Sequence, residues 1–209
     1  TNCLVAWGCD PLASNRMVPN TMNRFPDIVK RGTVIAVDPR LSNIAAKAHE
    51  WLPISPGTDG ALAGVIAHVL LTEGLWNKEF VGDFKDGKNL FVAGKPVDEA
   101  AFGEKETHGL VKWWNIELKD RTPAWGEKES LIPAAQIVRV ARAMGKAAPK
   151  VTVWMGPGAA MHPRGTYSAM AVHALNGLLG SIDAEGGVWQ SGSVPLAKFP
   201  SSEKYVDEQ

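Results

Sequence analysis

The segment Thr33-Val34-Ile35-Ala36-Val37 opens with three successive β-branched residues, carries no charge, and stops at Asp38-Pro39-Arg40. A run with no polar face fits a central parallel strand covered on both sides. Pro39 has no N–H to give the ladder and ends it. Such a strand needs helices above and below its sheet, and the neighbouring segments have the right pattern. Cys3-Leu4-Val5-Ala6-Trp7 and Val151-Thr152-Val153-Trp154-Met155 are two further short apolar runs, each halted by glycine. A helix capped by Asn20 or Asn23 is expected to run to about Arg31 and end at Gly32. Ser42 or Asn43 caps a short helix through Lys47, and Trp51-Leu52-Pro53-Ile54 reads as a brief edge strand.

Three later stripes complete the pattern. Leu62, Val65, Ile66, Val69 and Leu70 recur at helical spacing over residues 60–73. Ile137, Val140, Ala141 and Met144 follow Pro133, which suits a first helical turn. Ala171, Ala174, Leu175, Leu178 and Leu179 mark a last helix from about Thr166 to Gly180. Strands alternating with helices imply an α/β domain with a mostly parallel sheet flanked by helices, of Rossmann-like type. The 209 residues form one domain. Residues of about 76–130, with the pairs Phe80-Val81 and Leu90-Phe91, form a less regular excursion containing short helices.

A chain of this length buries about 70% of its extended surface, so its core needs no disulfide or metal. Lys and Arg total 22, balanced by 22 Asp and Glu, which disfavours nonspecific nucleic-acid binding. The longest apolar run falls far short of a membrane span. Cys3 and Cys9 are too few for an iron–sulfur cluster or a four-cysteine zinc site. Eight Trp against two Tyr means that buried indole N–H groups must find partners or line interfaces.

Three strand candidates end in the loops at Gly8, at Asp38-Pro39-Arg40 and at Gly156-Pro157-Gly158. In a parallel sheet, ligands bind beyond the carboxyl ends of the strands, so these loops are expected to share a crevice. Glycines there let backbone N–H groups approach a phosphate. Asp38 can accept both hydroxyls of a ribose or cap the turn before Pro39. Arg40 can stack on a base, bind phosphate, or face solvent. Asp59 can cap the helix that follows it or accept the paired N–H donors of a guanine edge. His162, after the glycine loop, is the histidine placed nearest a ligand; His68 reads as a helix-face residue and His173 as packing. Cys9 is a loop thiol that needs a basic partner to become a nucleophile. The G-x-G-x-x-G, Walker and His-Glu-x-x-His signatures are all missing from the sequence.

These blocks together resemble the molybdopterin oxidoreductases, in the central region of their large catalytic subunit. The resemblance rests on residues 7–11 (Trp-Gly-Cys-Asp-Pro), 34–40, 52–62, Arg121-Thr122-Pro123, Gly156-Pro157-Gly158 with His162, and 174–183 with Gly186-Gly187. It implies a domain that holds one guanine dinucleotide arm of a bis-molybdopterin guanine dinucleotide cofactor with molybdenum. By that resemblance Gly8 approaches the pyrophosphate, Asp38 and Arg40 address the ribose and guanine side, and Asp59 reads the guanine. Gly57, Gly156, Gly158 and His162 line the same pocket. Asp10 stands where the family commonly has Asn, which puts a direct phosphate contact in question. Ser55 replaces a frequent Arg.

The resemblance places the metal ligand and the 4Fe-4S cysteines outside this chain, with no catalytic or metal-binding residue in it. The chain alone is expected to be inactive, with residues of about 181–209 returning to a neighbouring domain. The implied partners are the remaining domains of the subunit and an iron–sulfur electron-transfer subunit. The stretch from Trp7 to Arg16, with Trp113-Trp114 and Arg121-Thr122-Pro123, looks most like reductases of arsenic or sulfur oxyanions, such as arsenate, tetrathionate or thiosulfate. The implied location is a periplasmic or membrane-associated bacterial complex, with the cytoplasm as the alternative. A freestanding nucleotide-binding module and a ligand-free interaction domain are the competing expectations.

Overall fold

The computed structural model describes residues 1–15, 17–81, 84–85, 88–89 and 118–189. Four parallel strands build its sheet: β1 (Cys3–Trp7), β2 (Thr33–Val37), β3 (Glu50–Leu52) and β6 (Val151–Met155). Their order is β3-β2-β1-β6, so the chain runs outward from β1 on one side and returns to its other side. The register pairs Trp7 with Val37 on one flank and with Met155 on the other, which aligns the carboxyl ends of the three expected strands.

Side-chain alternation sorts the sheet into two cores. Cys3, Val5, Trp7, Ile35 and Val37 pack toward α2 (Asp59–Thr72), α4 (Pro123–Ser130), α5 (Ala134–Ala147) and α6 (Gly165–Leu178). Leu4, Ala6, Val34 and Ala36 face the other way, onto Phe25 of α1 (Val18–Arg31) and Ile44. The mostly parallel α/β architecture therefore follows from strands that are apolar on both faces. α2 is buried on most of its circumference, because α4, α5 and α6 all pack on it.

Several boundaries differ from expectation. α1 begins at Val18, with Pro19 in its first turn, where a missing N–H costs nothing. The helix expected through Lys47 is only a 3-10 turn over Ala45–Lys47, and the edge strand is Glu50–Leu52. Within the irregular excursion lie α3 (Lys78–Val81), the antiparallel pair β4 (Phe84–Lys85) and β5 (Lys88–Asn89), and α4, capped by the Thr122 hydroxyl. Leu90-Phe91, Trp113-Trp114, Arg16 and residues 190–209 lie outside the described residues.

β6 is an edge strand, and its outer backbone is closed by a side chain. The Val153 N–H donates to Asn176 Oδ1 at 3.0 Å, and Asn176 Nδ2 donates to the Val153 carbonyl at 3.1 Å. The Ser181 hydroxyl in turn donates to the Asn176 carbonyl. Asn176→Leu would leave two buried backbone groups unpaired, each costing about 1–3 kcal/mol. The expected loss is about 3 kcal/mol in urea unfolding; a loss below about 0.5 kcal/mol would show that the amide does not seal this edge.

Candidate functional site

The chain folds back on itself at the carboxyl ends of β1 and β6. Gly8 adopts φ +60, donates its N–H to the Val37 carbonyl at 2.8 Å, and receives the Gly158 N–H at 3.3 Å. The Gly156 N–H donates to the Trp7 carbonyl at 2.7 Å. A Cβ on Gly8 would stand 2.8 Å from the Ala159 nitrogen, and one on Gly158 would stand 2.9 Å from the Gly8 oxygen. These three glycines let two loops touch. Gly57 differs: it has φ +85, with nothing within 4 Å of where a Cβ would sit.

Asp38 is 8% exposed, and its Oδ1 accepts the Arg40 N–H at 2.9 Å, so it does cap the turn before Pro39. Its carbonyl accepts the Trp51 indole N–H at 2.8 Å. Arg40 is exposed and, with Asp10, Ser42 and Asn43, lines a cleft of about 410 Å³. Asp10 is buried and turned into the loop after β2, accepting from the Asn43 N–H, the Asn43 amide and the Ile44 N–H at 2.9–3.3 Å. Its charge is thereby spent on joining two loops. The Ser42 hydroxyl in the same cleft is buried with no partner among the described residues.

Asp59 was expected either to cap its helix or to face a ligand. α2 begins at Asp59 itself, and no side chain caps it. The Asp59 carboxylate turns instead to β1, where Oδ1 accepts the Trp7 indole N–H at 2.7 Å. Trp7 thus brings Asp59 to the end of β1, beside the end of β2 where Asp38 follows Val37. Gly57 and His162 share a second cleft of about 620 Å³ between the first turns of α2 and α6, also lined by Gly60, Arg121, Trp125 and Arg164. The Arg121 guanidinium lies 4.5 Å over the Trp125 ring. Both ring nitrogens of His162 face carbonyls of their own loop, Pro163 at 2.7 Å and Ala159 at 3.1 Å.

Burial pushes the Cys9 thiol up to about 11, with Asp38 and Asp10 adding in the same direction, and Sγ points at the Trp154 carbonyl. A thiol so suppressed is a poor nucleophile near neutral pH. His68 lies against the Leu118 carbonyl at 2.6 Å. His173, expected to pack, is exposed, because it sits one position off the buried stripe of α6. Among the described residues no group of three metal-binding side chains converges, and no helix is long and apolar enough to cross a membrane.

Residues 1–198 match the family model for molybdopterin oxidoreductase. The chain belongs to the molybdopterin oxidoreductase family. It is 55% identical over 205 residues to the arsenate respiratory reductase molybdopterin-containing subunit ArrA of Chrysiogenes arsenatis, covering 98% of this chain and 24% of that protein. Identity to the ArrA subunit of Shewanella sp. (strain ANA-3) is 50%, with the same coverage of both chains. The thiosulfate reductase molybdopterin-containing subunit PhsA of Salmonella typhimurium is 30% identical, over 98% of this chain and 24% of PhsA. The chain therefore spans about a quarter of the length of these relatives. Acetylene hydratase from Pelobacter acetylenicus superimposes with a TM-score of 0.66 at 22% identity, over 86% of this chain and 21% of the hydratase, and shares the fold.

Against this molybdopterin oxidoreductase background, two features of the strand ends fit a nucleotide. Ser42, whose buried hydroxyl has no partner among the described residues, lines the same cleft as Arg40. Asp59 has a second carboxylate oxygen that accepts no bond from the described residues. Trp7, Trp51, Ser42, Arg121 and Arg164 were not singled out for the site in the sequence. Trp7 closes an apolar run and reads as core; the one available signal was that a buried indole must have an acceptor.

Proposed function

We propose that this chain holds one guanine dinucleotide arm of a bis-molybdopterin guanine dinucleotide in a bacterial arsenate-reducing enzyme. The observation that carries this is the placement of Asp59. A nearly buried carboxylate stands at the end of β1, beside the order reversal of a parallel sheet, with one oxygen that accepts no bond from the described residues. Its two oxygens match the N1–H and N2–H donors of a guanine edge. Asp38 Oδ2, which accepts no bond from the described residues, and the Ser42 hydroxyl suit ribose hydroxyls, and Arg40 suits a phosphate or a base face. Gly57 leaves open space on the cleft side of α2, and Gly8, Gly156 and Gly158 shape the loops at the strand ends.

When bound, the molybdenum and its dithiolenes supply the oxygen-atom transfer; this chain contributes grip and orientation. Identities of 55% and 50% to two ArrA subunits support arsenate over the sulfur oxyanions. The metal ligand, a 4Fe-4S cluster, the other cofactor domain and an iron–sulfur partner subunit belong to the remainder of the complex, in the periplasm or at the membrane. The chain by itself does not turn over. Titration calorimetry with GDP and NAD tests the nucleotide assignment: GDP is expected to bind more tightly, and a preference for NAD would reverse it in favour of a freestanding dinucleotide module.

A further inference from the structure

We infer that Trp7 is a positioning residue that orients the Asp59 carboxylate and thereby sets selectivity for guanine over hypoxanthine; this rests on the guanine-site assignment above. An aspartate carboxylate turns easily about its last torsion, whose energy wells are broad. Guanine offers two parallel donors, and a carboxylate meets both only when its plane lies in the plane of the base. Something must hold that plane before the base arrives.

In this chain the Trp7 indole is the group that does so. The Trp7 side chain is fully buried, and its backbone is paired with β2 on one flank and β6 on the other. Its Nε1–H is therefore a donor on a rigid mount, 2.7 Å from Asp59 Oδ1. Asp59 is only 6% exposed, and the indole is its one side-chain partner among the described residues. A carboxylate oxygen has two lone-pair sites, so Oδ1 can hold the indole and still accept a base N–H, while Oδ2 takes the other. A second tryptophan works alongside: Trp51 fixes the Asp38 carbonyl in the adjacent loop.

A purely structural Trp7 would alter stability and leave base selectivity untouched. The decisive readout is therefore the ratio of affinities for GDP and IDP, which differ only in the 2-amino group. A hydrogen bond to a charged acceptor is worth about ten-fold or more in binding. The full 209-residue chain is expected to bind GDP at least about ten-fold tighter than IDP. Trp7→Phe should reduce that ratio to about three-fold or less, with IDP affinity nearly unchanged. Because Trp7→Phe also opens a cavity, the second variant carries benzothienylalanine at position 7, which keeps the bicyclic shape and replaces the N–H by sulfur. Loss of the preference in that variant supports the role, and a preference retained in it overturns the role. If the unmodified chain shows no preference for GDP over IDP, the guanine assignment itself falls, and the positioning role with it.

Discussion

Asp59→Ala in the full-length subunit is expected to strip the enzyme of most of its molybdenum and bound guanine nucleotide. Truncating one partner of a buried, hydrogen-bonded charged contact costs roughly 2–5 kcal/mol of binding, which is a fall of at least about ten-fold in occupancy wherever cofactor is not in excess. The same change removes the Trp7 contact at 2.7 Å, leaving a buried indole N–H unsatisfied at about 1–3 kcal/mol. Asp59→Asn separates the two effects, since its side-chain oxygen can keep the indole bond while its amide turns a donor toward the base. That variant should fold as the parent does and still lose cofactor. Asp38→Ala should act in the same direction but less strongly, because part of the Asp38 carboxylate is engaged by the Arg40 N–H. Metal analysis by mass spectrometry and chromatography of the released guanine nucleotide would report both contents. Unchanged content in Asp59→Ala and Asp38→Ala alike would contradict a cofactor role for the strand ends.

Gly156→Ala should be the most destabilising single methyl group in the loop pair. Its Cβ would collide with the Cys9 side chain and lie 2.6 Å from the Gly8 oxygen, inside the contact that joins the β1 and β6 loops. Both obstacles are held by backbone, so relief requires the loops to separate and the Gly156–Trp7 hydrogen bond to stretch. Overpacking of this kind costs about 3 kcal/mol or more. Gly57→Ala is the informative contrast. It pays only for a left-handed backbone, about 1–2 kcal/mol, because its surroundings are open. Urea unfolding of the two variants would test the difference; equal losses would mean that the loops are not in rigid contact.

Much of the fold was legible because the strands declare themselves by chemistry. Thr33–Val37 has no polar face, and it lies second from one edge of the sheet with a core on each side. The stripes of α2, α5 and α6 were readable for the same reason: helical periodicity survives translation into burial. The short 42–47 segment was not, since three residues of 3-10 turn and a four-residue helix share one composition. The adjacency of the loops at the strand ends was legible, but the wiring between them was not, and Gly57 and His162 line a different cleft from Arg40. Asp10 carries a charge that reads as a phosphate problem, yet it is absorbed by Asn43 and Ile44, thirty-odd residues away in sequence. Asp59 reads as a helix cap or a ligand acceptor, yet its partner is Trp7, on a different element. Such pairings arise only when the sheet brings β1 beside α2, and no local spacing encodes them. The histidines show the limit from the other side: His162 lines a cleft, but its ring nitrogens are directed at its own loop.

A structure of the full-length subunit with its cofactor bound would locate the guanine ring relative to one carboxylate. The Asp59 oxygens should lie within about 3 Å of the base N1 and N2 atoms, with the Trp7 indole still donating to Oδ1. A guanine ring held elsewhere, with Asp59 bonded to Trp7 alone, would mean that this aspartate anchors the helix and reads nothing.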